Sequence, residues 1–433
     1  MRRASANLNT PSGAPKRILG ALVLMAAAGF HWLAWVRAGS GSLNWGTWFY
    51  HGAWWSYIAA LSGVLCLAGW DLTAVLRRLV IMLPWSVVWW LAFDLYGLRL
   101  RNWYYVMVPP AAGARWLGYW TAFATVIPLT MLTHETLLVA GLFRGAKWRP
   151  FRVTQARRRA LTMAGMACFV LPLALPRCFY PLTWLFAPAL IEPWLVGRGV
   201  PCLLAEVSEG RPATLLRLLV TGLVVGGLWE LFNHGASGRW IYTVPGLERG
   251  KLFEMPVPGF LGFPPFAVGT YSFWTLTATR LGIAPGLSSE RMVRPLRKAA
   301  ASLALTLPFC LAGFALVDRG TVRSHAPVAG DLPGWEPIMS ARGRSAEELC
   351  AHAGSPHVSP SVRDRWCRLL KMAHHRGMGL PRAMELEALG IATPSELRHQ
   401  EARQLLRRWP GANPPRPEEI AVWGAAAPGG NSR

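Results

Sequence analysis

Nine apolar stretches, each near the length a helix needs to cross a bilayer, alternate with short polar segments along the chain: residues 18–36, 50–69, 76–93, 116–142, 160–177, 180–197, 213–232, 258–282 and 299–317. The pattern predicts an all-α polytopic membrane protein with about nine transmembrane helices. Residues 143 to 160, "FRGAKWRPFRVTQARRRA", hold seven basic residues and no acid, which places that loop in the cytoplasm. Arg77, Arg78, the cluster Arg291, Arg294, Arg297 and Lys298, and the basic N-terminus then fall on the same side. The loops after the third and seventh helices fall outside. With nine helices the tail from Asp318 onward lies outside too, and a count different by one reverses that.

The polar positions at two helix ends share a pattern. "WLAFDLYGLRLRNWYYVMVP" at 90–109 and the run from 229 to 245 both read W-x-x-F-[Asp/Asn], a spacer, W-x-Y and a proline. Trp90, Phe93, Asp94, Trp103, Tyr105 and Pro109 correspond to Trp229, Phe232, Asn233, Trp240, Tyr242 and Pro245. "FYHGAWW" from Phe49 and "FYPLTW" from Phe179 match upstream. The expectation is a duplication: a basic tail over 1–17, transmembrane repeat 1 over 18–142, repeat 2 over 160–282, a ninth helix over 299–317, a linker over 318–345 and a small helical domain over 346–433. Four helices per copy keep both copies in one orientation, and parallel repeats of this kind place a site where the halves meet.

Composition agrees with a membrane setting: 52% of residues are hydrophobic, 15% are charged and 23 are Trp. A net charge of +23 would ordinarily point to nucleic acid or an anionic surface, but much of the excess sits between apolar runs and reads as topology. The cysteines (Cys66, Cys168, Cys178, Cys202, Cys310, Cys350 and Cys367) form no CxxC pair and have no partnering His, so buried thiols are expected, with no zinc, no redox motif and no cofactor. The basic N-terminus before a long apolar run lacks a convincing small-residue cleavage site, which favours an uncleaved first helix.

A carboxylate inside a membrane helix costs roughly 2.5–3.5 kcal/mol on insertion scales and therefore faces a cavity or a partner. Glu230, Asn233 and His234 share one face at the outer end of the seventh helix. Asp94 takes the corresponding place in the third, so each half offers one acid at similar depth. His134 and Glu135 sit deeper in the fourth, and Glu192 near the cytoplasmic end of the sixth reads as interfacial. An acid held protonated in a tryptophan-lined pocket suits protonation of an alkene or polyene, whose cation aromatic faces stabilise. The competing reading has Glu230 pairing with His234, Arg239 or Arg99 to fasten helix ends. Aromatic belts explain single Trp and Tyr residues, though not the repeated spacing. "KLFEMPVPGFLGFPPF" carries enough Pro and Gly to break the start of the eighth helix over the pocket, where Glu254 hangs either inward or in solvent.

Over about residues 80–135 and 220–275 this repeated motif resembles the intramembrane carotenoid-processing families, the heterodimeric-type lycopene cyclases and the bisanhydrobacterioruberin hydratases. Those cyclases carry Pro-x-Glu-Glu, where this chain has only His134-Glu135 in one copy and Gly269-Thr270-Tyr271 in the other. The chain also resembles bacterial polytopic membrane proteins sharing W-E-[LF]-x-N, W-x-Y-T-V-P and F-E-M-P-x-x-G-F-x-G-F-P-P-F, a likeness that implies no activity. Beyond the Pro/Gly-rich "HAPVAGDLPGWEP", the tail resembles a helix-hairpin-helix module, with Gly377, Gly379 and Ala383 in the hairpin and Gly390, Ile391 and Thr393 in the next turn. The likeness implies backbone amides that can cradle a phosphate. Interleaved Glu385, Glu387, Glu396 and Glu401 favour protein interaction or self-association through 346–433, with nucleic acid a partner only if the tail is cytoplasmic.

Two functions follow as expectations for a multi-pass protein of the bacterial inner (cytoplasmic) membrane. The first is an intramembrane enzyme acting by proton transfer on an isoprenoid or carotenoid-like membrane lipid. Its candidate catalytic residues are Glu230, Asp94, His134 and Glu135, and its substrate-binding residues Trp229, Asn233, His234, Trp240, Tyr242, Trp90, Trp103 and Tyr105. The second is a non-catalytic scaffold whose working end is the tail. Solute transport would need a polar path that few mid-helix residues supply.

Overall fold

The computed structural model describes residues 14–39, 43–109, 111–248, 250–287, 295–325, 350 and 359–425. The chain is mostly helical, and among the described residues five helices are long and apolar enough to cross a membrane: Ala14–Gly39, Leu72–Leu100, Ala112–Val139, Ala213–Gly235 and Leu296–Gly320. These features fit a membrane protein. Helix α1 (Ala14–Gly39) buries only Gly20, Ala27 and Ala34, one seam of small residues, while Ile18, Leu22, Met25, Phe30 and Trp32 stay exposed. A helix apolar on every side but buried on one suits contact with hydrocarbon. Its seam lies on α2 (Leu43–Leu67), where a Cβ on Gly20 would stand 2.8 Å from the Gly63 carbonyl oxygen.

Helix α3 (Leu72–Leu100) starts where Asp71 accepts from the Ala74 amide at 3.0 Å and ends at Arg101, whose left-handed backbone (φ 54°) returns its N–H to Gly97 O at 2.7 Å. The stretch expected at 116–142 is two helices, α4 (Ala112–Phe123) and α5 (Val126–Val139). Pro128 cannot donate to the preceding turn. Ser86 of α3 fills the break, donating to Phe123 O at 2.6 Å and accepting from the Ile127 amide at 3.0 Å.

The expected helix at 180–197 is not continuous. After α6 (Gln155–Ala174) come the single turn α7 (Pro176–Phe179), a 3-10 segment Tyr180–Trp184 and α8 (Phe186–Val196). The 11 residues of α8 reach about 16 Å, half a hydrocarbon core. Helix α9 (Leu203–Ser208) leads to α10 (Ala213–Gly235). The Gly/Pro-rich run makes a 3-10 segment, Val257–Gly262, before α11 (Phe263–Arg280), and α12 (Pro295–Gly320) packs against α3.

The all-α expectation needs correcting at the W-x-Y segments, which are strands. Strand β1 (Trp103–Val108) pairs antiparallel with β2 (Arg239–Tyr242), Trp103 opposite Tyr242 and Tyr105 opposite Trp240. A two-residue hairpin follows, β3 (Lys251–Leu252) with β4 (Met255–Pro256), and β5 (Val322–His325) joins β1 on its other edge in parallel. Period-two alternation splits this sheet between two cores. Trp103 and Tyr105 point into the helices, while Tyr104, Val106 and Ile241 pack with Leu369, Met372, Met378 and Trp423 of the tail.

The tail is helical: α13 (Pro360–His374), α14 (Leu380–Ala388), α15 (Pro394–Arg398), α16 (Ala402–Arg407) and α17 (Pro417–Gly424). Tyr104 donates to Arg376 O at 2.8 Å, and Arg376 pairs with Glu254 at 3.2 Å and Glu248 at 3.1 Å. Gly377 and Gly379 have φ of 67° and 82°, as a tight hairpin needs, but the Met378 and Gly379 amides donate to His375 O and Ala373 O. Those two amides are therefore engaged within the turn. Cys350 and Cys367 are joined in a disulfide, where the sequence suggested thiols, and Cys178 is exposed. Of the linker expected over 318–345, residues 318–320 end α12, 322–325 form β5, and 326–345 lie outside the described residues.

Candidate functional site

Where the C-terminal ends of α3 and α10 meet the sheet, the chain closes a cavity of about 90 Å³ walled by Trp90, Trp184, Trp229, Trp240, Phe263 and Phe266. Among the described residues Glu230 is the only carboxylate in its lining. The residue is 0% exposed. Tyr242 donates to Oε1 at 2.9 Å, and Oε2 has no hydrogen-bond partner among the described residues. Burial first, and then the neighbouring Glu230 carboxyl, push the Tyr242 hydroxyl well above its ordinary pKa and keep it a donor. None of His234, Arg239 or Arg99 forms an ion pair with Glu230 here.

Asp94 plays a different part. Trp103 Nε1 donates to its Oδ1 at 3.0 Å, and the Tyr105 hydroxyl lies 3.0 Å from both oxygens. Gly97 makes this possible, because a Cβ there would stand 2.6 Å from the Trp103 ring. Asp94 is absent from the cavity lining and reaches it only through Tyr105, which also accepts from Trp90 Nε1 at 3.3 Å. Asn233, its counterpart in the motif, likewise fastens a helix end to a strand: it donates to Trp240 O at 3.0 Å and accepts from Trp240 N at 2.9 Å. The residue matching Glu230 is Leu91, fully buried, so the two halves do not offer equivalent acids.

The remaining candidates scatter. His234 lies against Phe253, the rings tilted and their centroids 5.4 Å apart, outside the cavity lining. Trp103 lines a second cavity of about 310 Å³ that shares Trp184 and Tyr242 with the first. His134 accepts from Arg217 Nε at 3.4 Å, and Glu135 takes the Leu287 amide; neither lines the chamber. Glu192, expected at an interface, is buried and structural, accepting from Ser272 at 2.6 Å and the Leu204 amide at 2.8 Å. Glu254 is buried against Arg376.

Sequence reading missed Arg115, which lines the chamber and is neutralised by a two-pronged pair with Asp318, both contacts 2.7 Å. Tyr119 and Trp116 also donate to Asp318, at 2.9 and 2.8 Å. Tyr50, His51 and Trp184 were legible, since they come from the matched "FYHGAWW" and "FYPLTW" segments. Among the described residues no group of three or more His, Cys, Asp or Glu could hold a metal ion.

Fold and site together define a helical protein of membrane type, with an aromatic-walled chamber whose described lining holds one acid. Compared with known proteins, the chain matches no family model, no curated protein and no solved structure.

Proposed function

We propose that the chain is a multi-pass protein of the bacterial inner membrane, built of two four-helix repeats and a ninth helix, that protonates an isoprenoid or carotenoid-like lipid in the chamber between the repeats. The observation that carries this reading is Glu230: a fully buried carboxyl, the sole acid among aromatic walls, with one oxygen held by Tyr242 and the other unengaged. In its acid form Glu230 transfers a proton from Oε2 to one carbon of a double bond. The π pair forms the new C–H bond, and the cation left on the neighbouring carbon lies among the Trp90, Trp229 and Trp240 rings. Tyr242 stabilises the carboxylate that remains. Loss of a proton from an adjacent carbon back to Glu230 closes an isomerisation or cyclisation without a co-reactant.

Asp94 is a positioning residue in this scheme, acting through Tyr105. His134 and Glu135 take no part in it. The pairing of β1 with β2, one strand from each proposed repeat in matching register, supports the duplication. The packing of the tail on this sheet supports its reading as a cover of the site rather than a free-standing scaffold end.

The test compares the lipids of cells carrying the wild type, Glu230→Gln or no gene. Accumulation of a polyene precursor in the last two, with conversion by the variant reduced roughly 10²–10⁴-fold while it still inserts, is the expected result. An unchanged lipid profile refutes the reading.

A further inference from the structure

The chamber adjoins a second cavity, and the second a third, through shared wall residues. Its neighbour of about 310 Å³ shares Leu100 and Asn102 with a third cavity of about 570 Å³, which lies between the end of α3, the α6–α7 corner and the tail. The character changes along the way. The second cavity is lined by Trp103, Tyr180, Leu185, Met255, Pro258 and Leu261, an apolar sleeve. The third is lined by Arg99, Arg101, Arg177 and Arg416 and by no carboxylate.

Some of that charge is matched nearby. Arg177 pairs with Glu418 at 2.9 Å, and Arg416 lies 3.9 Å from Glu419; Arg99 and Arg101 form no ion pair among the described residues. Arg416 Nε is buried with no hydrogen bond, its nearest carboxylate oxygen being that of Glu419 at 3.9 Å, and burial lowers the pKa of that guanidinium, a state that a bound anion would relieve. The Arg101 carbonyl, which would repel an anion, is already occupied by Arg416 Nη2 at 2.5 Å and the Thr243 hydroxyl at 2.8 Å.

We propose that the three cavities form one site for a phosphorylated isoprenoid lipid, its phosphate or diphosphate seated among Arg99, Arg101, Arg177 and Arg416 and its chain passing through the sleeve toward Glu230. Arg99 and Arg101, which carry no ion pair among the described residues, are flanked by the partly matched Arg177 and Arg416, and their planar forks suit the several oxygens of a phosphate better than one carboxylate. The chain's course rests on the chamber being a lipid site, as proposed above; the headgroup assignment does not depend on proton transfer.

The experiment measures equilibrium binding of farnesyl diphosphate, inorganic diphosphate and farnesol to the full chain in nanodiscs of zwitterionic lipid. Farnesyl diphosphate should bind at least about tenfold more tightly than either of the others. Arg99→Gln combined with Arg101→Gln, both exposed positions, should weaken it about 10–100-fold and leave farnesol unchanged. Val244→Trp, at a half-buried position in the sleeve lining, should weaken farnesyl diphosphate and spare inorganic diphosphate. Binding is read without turnover, so a failed acid mechanism and a failed lipid site give different results. Equal affinity for farnesol and farnesyl diphosphate, or no effect of the arginine pair, overturns the headgroup site. Equal affinity for inorganic and farnesyl diphosphate assigns the arginines to a free phosphate and overturns the lipid.

Discussion

Asp94 and Glu230 show how little residue type alone decides. Both are buried carboxyls near the end of a long helix, yet one is ringed by donors and the other faces a cavity with an oxygen to spare. Removing Asp94 as Ala strands two buried donors, Trp103 Nε1 and the Tyr105 hydroxyl, and should lower stability by at least about 2 kcal/mol in thermal unfolding of the detergent-solubilised protein. Asp94→Asn, which keeps one acceptor, should fall between the two. The motif W-x-x-F-[Asp/Asn] set Asp94 beside Asn233, and each fastens a helix end to a strand. Read at single-residue spacing it also set Leu91 against Glu230, so the asymmetry of the acids was visible before any coordinate. Arg115 with Asp318 was not, because a pair 203 positions apart leaves no local trace.

At the scale of elements, hydropathy located the long helices because a single apolar requirement governs them all. It failed where proline or a period of two intervened. Pro181 falls in the first turn of the 3-10 segment and Pro188 in the first turn of α8, the two points where the chain restarts across 180–197. Trp103–Val108 alternates between two cores, a strand signature that interface aromatics mask. The broken α4–α5 junction depends on one hydroxyl. Ser86→Ala should leave the Phe123 carbonyl and the Ile127 amide unpaired, destabilising by about 1–3 kcal/mol in the same assay, whereas Ser86→Thr should be milder. Helices α10 and α11 touch through Gly226, where a Cβ would overlap the Phe263 ring. Gly226→Ala should part them and remove apolar-probe binding from the chamber, read as lost quenching of tryptophan fluorescence by a brominated lipid.

Over the whole molecule the tail is held by polar contacts that hydropathy could not foresee. Arg376→Ala would leave Glu254 buried without its partner, and about 3–5 kcal/mol of docking should disappear, seen as rapid proteolysis after residue 325. Acid should act on the tail as well. Burial lowers the His374 pKa to about 4, so the folded tail keeps this ring neutral while the unfolded chain protonates it near 6.5. Its contribution is complete above about pH 6.5 and is lost as pH falls toward 4, and His374→Leu should flatten that part of the stability profile.

Strand β1 sits in the middle of the sheet, yet it is made early, and its two neighbours arrive from 239–242 and 322–325. During synthesis one edge of the segment can pair with β2, but the other must wait until the last long helix has been made and has delivered β5. A nascent chain stalled before residue 295 would display an aromatic ribbon with unsatisfied amides, an attractive substrate for quality-control proteases.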